Sequence, residues 1–194
     1  MLKRIILILL TLLFSSCAVN QKKVEIETKE TINEELLSHI RYILYLFNSE
    51  DLKTLNDIYI NKDFGYFDVS LDELSNKIVV EKRAYLEEID NFIESFDIEN
   101  REIFFNCSPY NDAFYGWSEN GTFIFEAKSN YLENYQSNNT KELDNFIKKV
   151  KNSSFEVIAT YNTIFYITKI DKKYYITLID NYKTDCQNAL IQAF

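Results

Sequence analysis

The sequence predicts an α+β domain in which N-terminal helices pack on a curved antiparallel sheet. Three observations lead there. Residues 155–180 read F-E-V-I-A-T-Y-N-T-I-F-Y-I-T-K-I-D-K-K-Y-Y-I-T-L-I-D, rich in β-branched and aromatic residues, with Asp171-Lys172 as a two-residue turn between the last two runs. Leu36, Leu37, Ile40, Ile43, Leu44 and Phe47 recur at helical spacing well before that stretch, and Leu143, Phe146, Ile147 and Val150 do so just ahead of it. A chain of 194 residues that is 46% hydrophobic, with three Gly and one Pro, has the apolar material for one real core.

The turn sets a register. Ile170 faces Lys173, Thr168 faces Tyr175, Ile167 faces Ile176, Tyr166 faces Thr177 and Phe165 faces Leu178. Phe165, Ile167, Ile176 and Leu178 then share one face, expected to lie against helices. Tyr166, Thr168, Tyr175 and Thr177 share the other, where hydroxyls call for water or a polar partner. That second face is expected to be partly exposed or to line a cavity. Together with Trp117 it is the candidate ligand-binding surface, and a plain solvated sheet face is the competing reading.

Taken from its start, the chain opens on a targeting signal. Lys3 and Arg4 form a positive n-region, residues 5–14 are an apolar run too short to span a bilayer, and Ser15-Ser16 places small residues before Cys17. Residues 1–16 resemble a bacterial lipoprotein signal peptide, departing from the family in Phe14, where leucine is usual. The resemblance implies cleavage before Cys17, a diacylglyceryl group on its sulfur and an acyl chain of the palmitate class on its amine. An ordinary secretory signal with a chance cysteine is the alternative. Ala18 is not the aspartate that retains such proteins at the inner membrane, so the resemblance implies a lipid anchor in the outer membrane, facing the periplasm. Residues 17–30, polar and without a long apolar stripe, read as the lipidated tether, and residues 31–194 as a single α+β domain.

In that domain Thr31-Ile32-Asn33-Glu34 has the form of a capping box for the first helix, and Ser49 is placed to cap a second with Leu52, Leu55 and Ile58 or Tyr59 as its stripe. His39, the only histidine, has no Cys or His cluster to make a metal site with, and packing at the helix edge accounts for it. Gly65, among aromatic residues, reads as a strand with a bulge or a close backbone approach. Residues 70–73 read as a box starting a short helix. Leu86, Ile89, Phe92, Ile93 and Phe96 predict an amphipathic helix over 83–96, whose acids Glu87, Glu88, Asp90 and Glu94 lack the spacing of a calcium loop and suit a solvated face. Residues 102–106 and 121–127 read as strands around a loop holding Tyr110, Phe114, Tyr115 and Trp117, which serves either recognition or coverage of an open sheet end. Thr140 starts the last helix.

Once Cys17 is lipidated, Cys107 and Cys186 remain, an even number in an oxidising compartment, and a disulfide between them is expected; a pair of free thiols is the alternative, without C-x-x-C spacing to support it. The element order over about residues 31–182 resembles the NTF2-like (cystatin-like) fold. The segments 64–67, 165–170, 175–178 and 184–186 are similar to small uncharacterised bacterial lipoproteins, a family from which no activity carries over. Enzymes on NTF2-like scaffolds use a carboxylate and a tyrosine or second acid in a cavity, and the resemblance implies Tyr166 or Tyr175 for the phenol and Glu126, Glu156 or Asp180 for the carboxylate.

The formal charge of −9 deepens to −11 when Lys3 and Arg4 leave with the leader, and that argues against nucleic acid as a partner. Triads, phosphate loops and zinc spacings are not found, and no cofactor or metal is expected. Two readings follow: a membrane-anchored, non-enzymatic module binding an envelope protein or peptide, or a small-molecule-binding or catalytic domain with a carboxylate/tyrosine cavity.

Overall fold

The computed structural model describes residues 31–72, 74–89, 93, 95–108, 115–128, 131–133, 135, 140–184 and 186. It is α+β, as expected. Helices α1 (Glu34–Asn48) and α2 (Leu52–Tyr59) precede strands β1 (Tyr66–Asp72), β2 (Lys77–Arg83), β3 (Ile98–Asn100), β4 (Phe105–Asn106), β5 (Gly116–Trp117) and β6 (Thr122–Glu126). Helix α3 (Lys141–Ser153) and strands β7 (Ser154–Ala159), β8 (Thr163–Ile170) and β9 (Lys173–Asp180) complete it. Seven strands form one sheet in the order β2-β1-β9-β8-β7-β6-β3, and β4 and β5 form a separate pair. The sheet is mixed rather than antiparallel, because β1 runs parallel to β9 and β3 parallel to β6.

The β8–β9 turn is where the sequence puts it. Asp171 and Lys172 both take positive φ, 48° and 69°, the backbone of a two-residue turn whose twist matches paired strands. From there the register runs as predicted to Ile167 opposite Ile176 and then changes: Tyr166 pairs with Leu178 and Phe165 with Ile179. Thr177 is the extra residue of a β-bulge, so Leu178 joins Tyr166's face and Ile179 joins Phe165's.

Both faces of the sheet are covered, which corrects the expected exposure of the tyrosine and threonine face. On one side Leu36, Ile40, Leu44 and Phe47 of α1 and Leu55 of α2 pack with Phe165, Ile167 and Ile176. On the other, Leu143, Phe146, Ile147 and Val150 of α3 pack with Phe67, Ile164, Tyr166, Ile170 and Leu178. The serine and threonine hydroxyls there satisfy one another. Ser154 Oγ donates to Val150 O at 2.6 Å, Ser154 Oγ and Thr168 Oγ1 are 2.6 Å apart, and so are Thr168 Oγ1 and Thr177 Oγ1. This chain crosses three strands from the end of α3, and it gives each buried hydroxyl of the row a protein partner.

Other differences have local causes. Asn33, not Thr31, caps α1 by accepting from Leu36 N at 3.0 Å, and Asp51, not Ser49, caps α2 through Thr54 N at 3.0 Å. Of residues 70–73, expected to start a short helix, 70–72 extend β1 instead and 73 lies outside the described residues; Asp72 turns the chain into β2 by accepting from Ser75 N at 2.7 Å. The helix expected over 83–96 is not found among its described residues. There Asn56 of α2 clamps the Leu86 peptide from both sides, donating to its carbonyl at 2.9 Å and accepting from its N–H at 2.7 Å, so those groups are committed to a side chain rather than to a helical ladder. Of its acids, Glu87 and Glu88 are exposed, and Asp90 and Glu94 lie outside the described residues. Gly65 is the close approach that was anticipated: its φ is +66°, and a Cβ would stand 1.9 Å from Arg83 O.

Because Tyr166 and Phe165 are both fully enclosed, on opposite faces, truncation of either removes core volume. Phe165→Ala and Tyr166→Ala should each lose about 3 to 5 kcal/mol in urea unfolding. A Tyr166 variant close to wild type would mean that its face is not packed as described.

Candidate functional site

The bulge at Thr177 shifts the phase of β9, and its functional consequence falls on Asp180. Asp180 is turned to the side of the sheet that carries Glu156 and Tyr166, which are direct cross-strand partners on β7 and β8. Glu156 is 4% exposed, Tyr166 2% and Asp180 0%. Just past β9, Asp180 Oδ1 accepts from the N–H groups of Tyr182 and Lys183, both at 3.0 Å, and this turn sends the Lys183 side chain back over the strands. Lys183 Nζ then lies 3.4 Å from Glu156 Oε1, 3.8 Å from Asp180 Oδ2 and 5.6 Å from the Tyr131 ring centroid.

Two buried carboxyl groups therefore share one partly exposed ammonium. Burial pushes the Glu156 carboxyl above its ordinary range; Lys183 pulls it down, Asp180 pushes it up again, and hydrogen bonding from Tyr166 and Lys183 opposes the rise. Burial also raises the Tyr131 phenol, and neighbouring Asp180 adds to that shift. Among the described residues, Asp180 Oδ2 has no hydrogen-bond partner of good geometry. Its polar neighbours are the Tyr131 phenol and Lys183 Nζ.

Above this group is a pocket of about 350 Å³ with Glu156, Lys183 and Tyr131 in its wall and Phe105, Trp117 and Phe125 around it. Its sides are held by three ties. The rings of Phe105 and Trp117 are 4.7 Å apart across the β4–β5 pair. Arg101 Nη1 and Nη2 each donate to Glu119 at 2.6 Å, fixing the segment that follows β5 to the one that follows β3. Cys107 and Cys186 are joined in a disulfide with Cα atoms 5.2 Å apart, which fastens the chain after β4 to the chain after Lys183.

The residues singled out from sequence divide accordingly. Trp117 and Tyr166 come to this site, Trp117 half-buried in the pocket wall and Tyr166 behind it beside Glu156. Thr168 and Thr177, each 0% exposed, belong to the internal hydroxyl chain, and Tyr175 is half-buried against the α3 cluster. Of the three carboxylates considered, Glu156 and Asp180 converge and Glu126 is exposed. Tyr131 and Lys183 were not foreseen, since their placement follows from turns that leave no periodic signal. His39 packs at a helix edge, with Nδ1 at 3.0 Å from the Tyr59 hydroxyl. Tyr110 and Phe114 lie outside the described residues, as does Cys17. Among the described residues there is no group of three or more His, Cys, Asp or Glu placed to hold a metal ion, and no helix long and apolar enough to cross a membrane.

These features define an α+β domain with a partly aromatic pocket over a buried carboxyl and tyrosine group capped by a partly exposed lysine. The chain matches no protein-family model, no curated protein and no solved structure.

The pH dependence of this site has a definite sign. The folded state holds the Glu156 proton to higher pH than the unfolded chain does, so its contribution to stability is full below 4.5 and is lost as pH rises through the raised folded value. In Glu156→Gln that loss is absent. The stability difference between variant and wild type, read from urea midpoints over a pH series, should move in the variant's favour as pH rises above 4.5. A difference that stays constant over that range would show that burial does not shift this group.

The disulfide closes a span of 79 residues. Replacing both cysteines by serine should cost about 4.5 kcal/mol in the chain-entropy account, measured by chemical unfolding. A double variant as stable as the parent would remove the disulfide from the forces that hold the pocket together.

Proposed function

We propose that this protein is a lipid-anchored envelope module, non-enzymatic, that binds a ligand group in the pocket between the β4–β5 pair and the sheet. One observation carries the binding half of the reading: Glu156, 4% exposed, stands in the wall of a pocket that Phe105, Trp117, Phe125 and Tyr131 also line. Burying a carboxyl is costly, and a fold retains such a group where something polar is to be met. The ligand is a side chain of an envelope protein or peptide, or a small molecule of similar size.

The anchoring half rests on residues 1–17. A cysteine after a short apolar run and two serines, followed by Ala18, supports lipidation at Cys17 and an outer-membrane position facing the periplasm. Acyl chains contribute about 0.8 kcal/mol per buried CH₂, so two or more hold a protein at a membrane surface durably. The polar tether of residues 17–30 then lets the domain reach partners in the periplasm.

A catalytic reading has its own support, a carboxyl with a raised pKa beside two tyrosines, which is the equipment of general acid–base chemistry. The two readings diverge in what a captured ligand does next: release unchanged supports binding, and conversion supports catalysis. Neither needs the NTF2-like resemblance, in which the cavity lies between sheet and N-terminal helices; Glu156 is on the opposite face from α1 and α2.

Two experiments test the proposal. Cys17→Ala should leave the chain uncleaved or soluble in cell fractionation, and a variant processed and membrane-bound like the parent would overturn the anchoring. Crosslinked capture from native envelopes should recover a partner with wild type and lose it with Trp117→Ala, while recovery unaffected by that change would place the binding elsewhere.

A further inference from the structure

Resting on the pocket reading above, we propose that the ligand group is an organic cation, a primary or quaternary ammonium, that takes the place of the Lys183 ammonium. The protein already seats such a cation there. Lys183 Nζ lies within reach of Glu156 Oε1 and Asp180 Oδ2 and 5.6 Å from the Tyr131 ring centroid, so these carboxyls and this ring are arranged around an ammonium.

The charge count leaves room for more. Once Glu156 is ionised, it and Asp180 share Lys183 among the described residues, whereas the remaining charges at the rim cancel, Lys128 Nζ being 2.7 Å from Glu102 Oε2. Asp180 Oδ2 is held only at 3.8 Å by Lys183 Nζ, with the Tyr131 phenol as its other polar neighbour. An ammonium brings up to three donors, and a quaternary ammonium brings a diffuse charge suited to the faces of Trp117, Phe105 and Tyr131. An anion fits poorly, because it would place its charge against the carboxyl of Glu156.

Lys183 is also built to leave. Its backbone is fixed by the turn on Asp180 Oδ1, but its side chain is one-third exposed and lies at the mouth of the site. Swinging it to solvent frees the carboxyls without disturbing the fold. It is in this sense a tethered competitor for the site.

Trp117 is the chain's only tryptophan and lines the pocket, so intrinsic fluorescence of the full-length, detergent-solubilised, disulfide-bonded protein reports occupancy. Choline and tetramethylammonium should change that signal saturably, and 3,3-dimethylbutan-1-ol, the uncharged counterpart of choline, should not. Lys183→Met should bind choline about tenfold more tightly and Glu156→Gln about tenfold more weakly, the change expected when one charged partner is removed. Equal binding of the uncharged alcohol, or preference for hexanoate, would overturn the ammonium class while leaving the pocket reading intact. No response to a probe of any charge, in the wild type and in Lys183→Met alike, would overturn both. Weaker choline binding in Lys183→Met would show that Lys183 helps the ligand and does not compete with it.

Discussion

The sheet is covered on both faces, and that constraint governs the rest. A strand such as β8, buried along nearly its whole length, cannot keep the simple division into an oily side and a wet side. Its hydroxyl row must be satisfied within the protein, and the Ser154, Thr168 and Thr177 chain does this from the end of α3. Thr177 performs that role from the bulge position. The same extra residue sends Leu178 into the α3 core and brings Asp180 to Glu156 and Tyr166. One insertion in the ladder thus settles both packing and the make-up of the site.

Sequence patterning showed what is local or periodic. The stripe of α1, that of α3, the three terminal strands and the Asp171-Lys172 turn all follow from spacing and residue type. Strand pairing near the turn was legible for the same reason, since two residues set the register as far as Ile167. A bulge has no such signature, and Thr177 in a run of alternating residues looks like any other threonine. Residues 83–96 failed for a different reason. Their apolar spacing does report burial, since Leu86 and Ile93 enter the α1/α2 core, but the Asn56 clamp chooses a non-helical backbone to achieve it. Burial periodicity was read as helical periodicity. The 70–73 segment shows the limits of a box motif, because Ser70 and Asp72 serve a strand and a hairpin turn equally well.

Of the site, the residue types were legible and the geometry was not. A buried acid beside a tyrosine could be imagined from strand positions, yet nothing in the sequence joins Glu156 to Asp180 or to Lys183. The joining is tertiary: Glu156 and Tyr166 meet through the β7–β8 register, Asp180 arrives through the bulge, and Lys183 through a turn built on Asp180's own carboxylate. The tyrosine and threonine face is buried rather than exposed because a covering helix and a chain of mutual hydrogen bonds answer the requirement of its hydroxyls as water would.

The position of the pocket follows from where helical cover gives way. Helix α3 ends at Ser153, and Ser154, its C-terminal neighbour, opens β7 on the bonded row with Thr168. Two residues along β7, Glu156 is instead covered by non-helical segments: the aromatic β4–β5 pair, Tyr131 and the chain after β9. Such segments lack a continuous ladder of their own, and the structure supplies external ties, the Arg101–Glu119 pair and the Cys107–Cys186 bond. An exposed ion pair contributes little by itself, about 1 kcal/mol or less, whereas a disulfide across a long span strongly restricts the unfolded chain. The covalent tie is therefore the stronger of the two in holding a wall whose regular structure is one short strand pair. The pocket thus lies over a sheet that is packed on both sides, so its floor is fixed by the core while its walls are fixed by these ties.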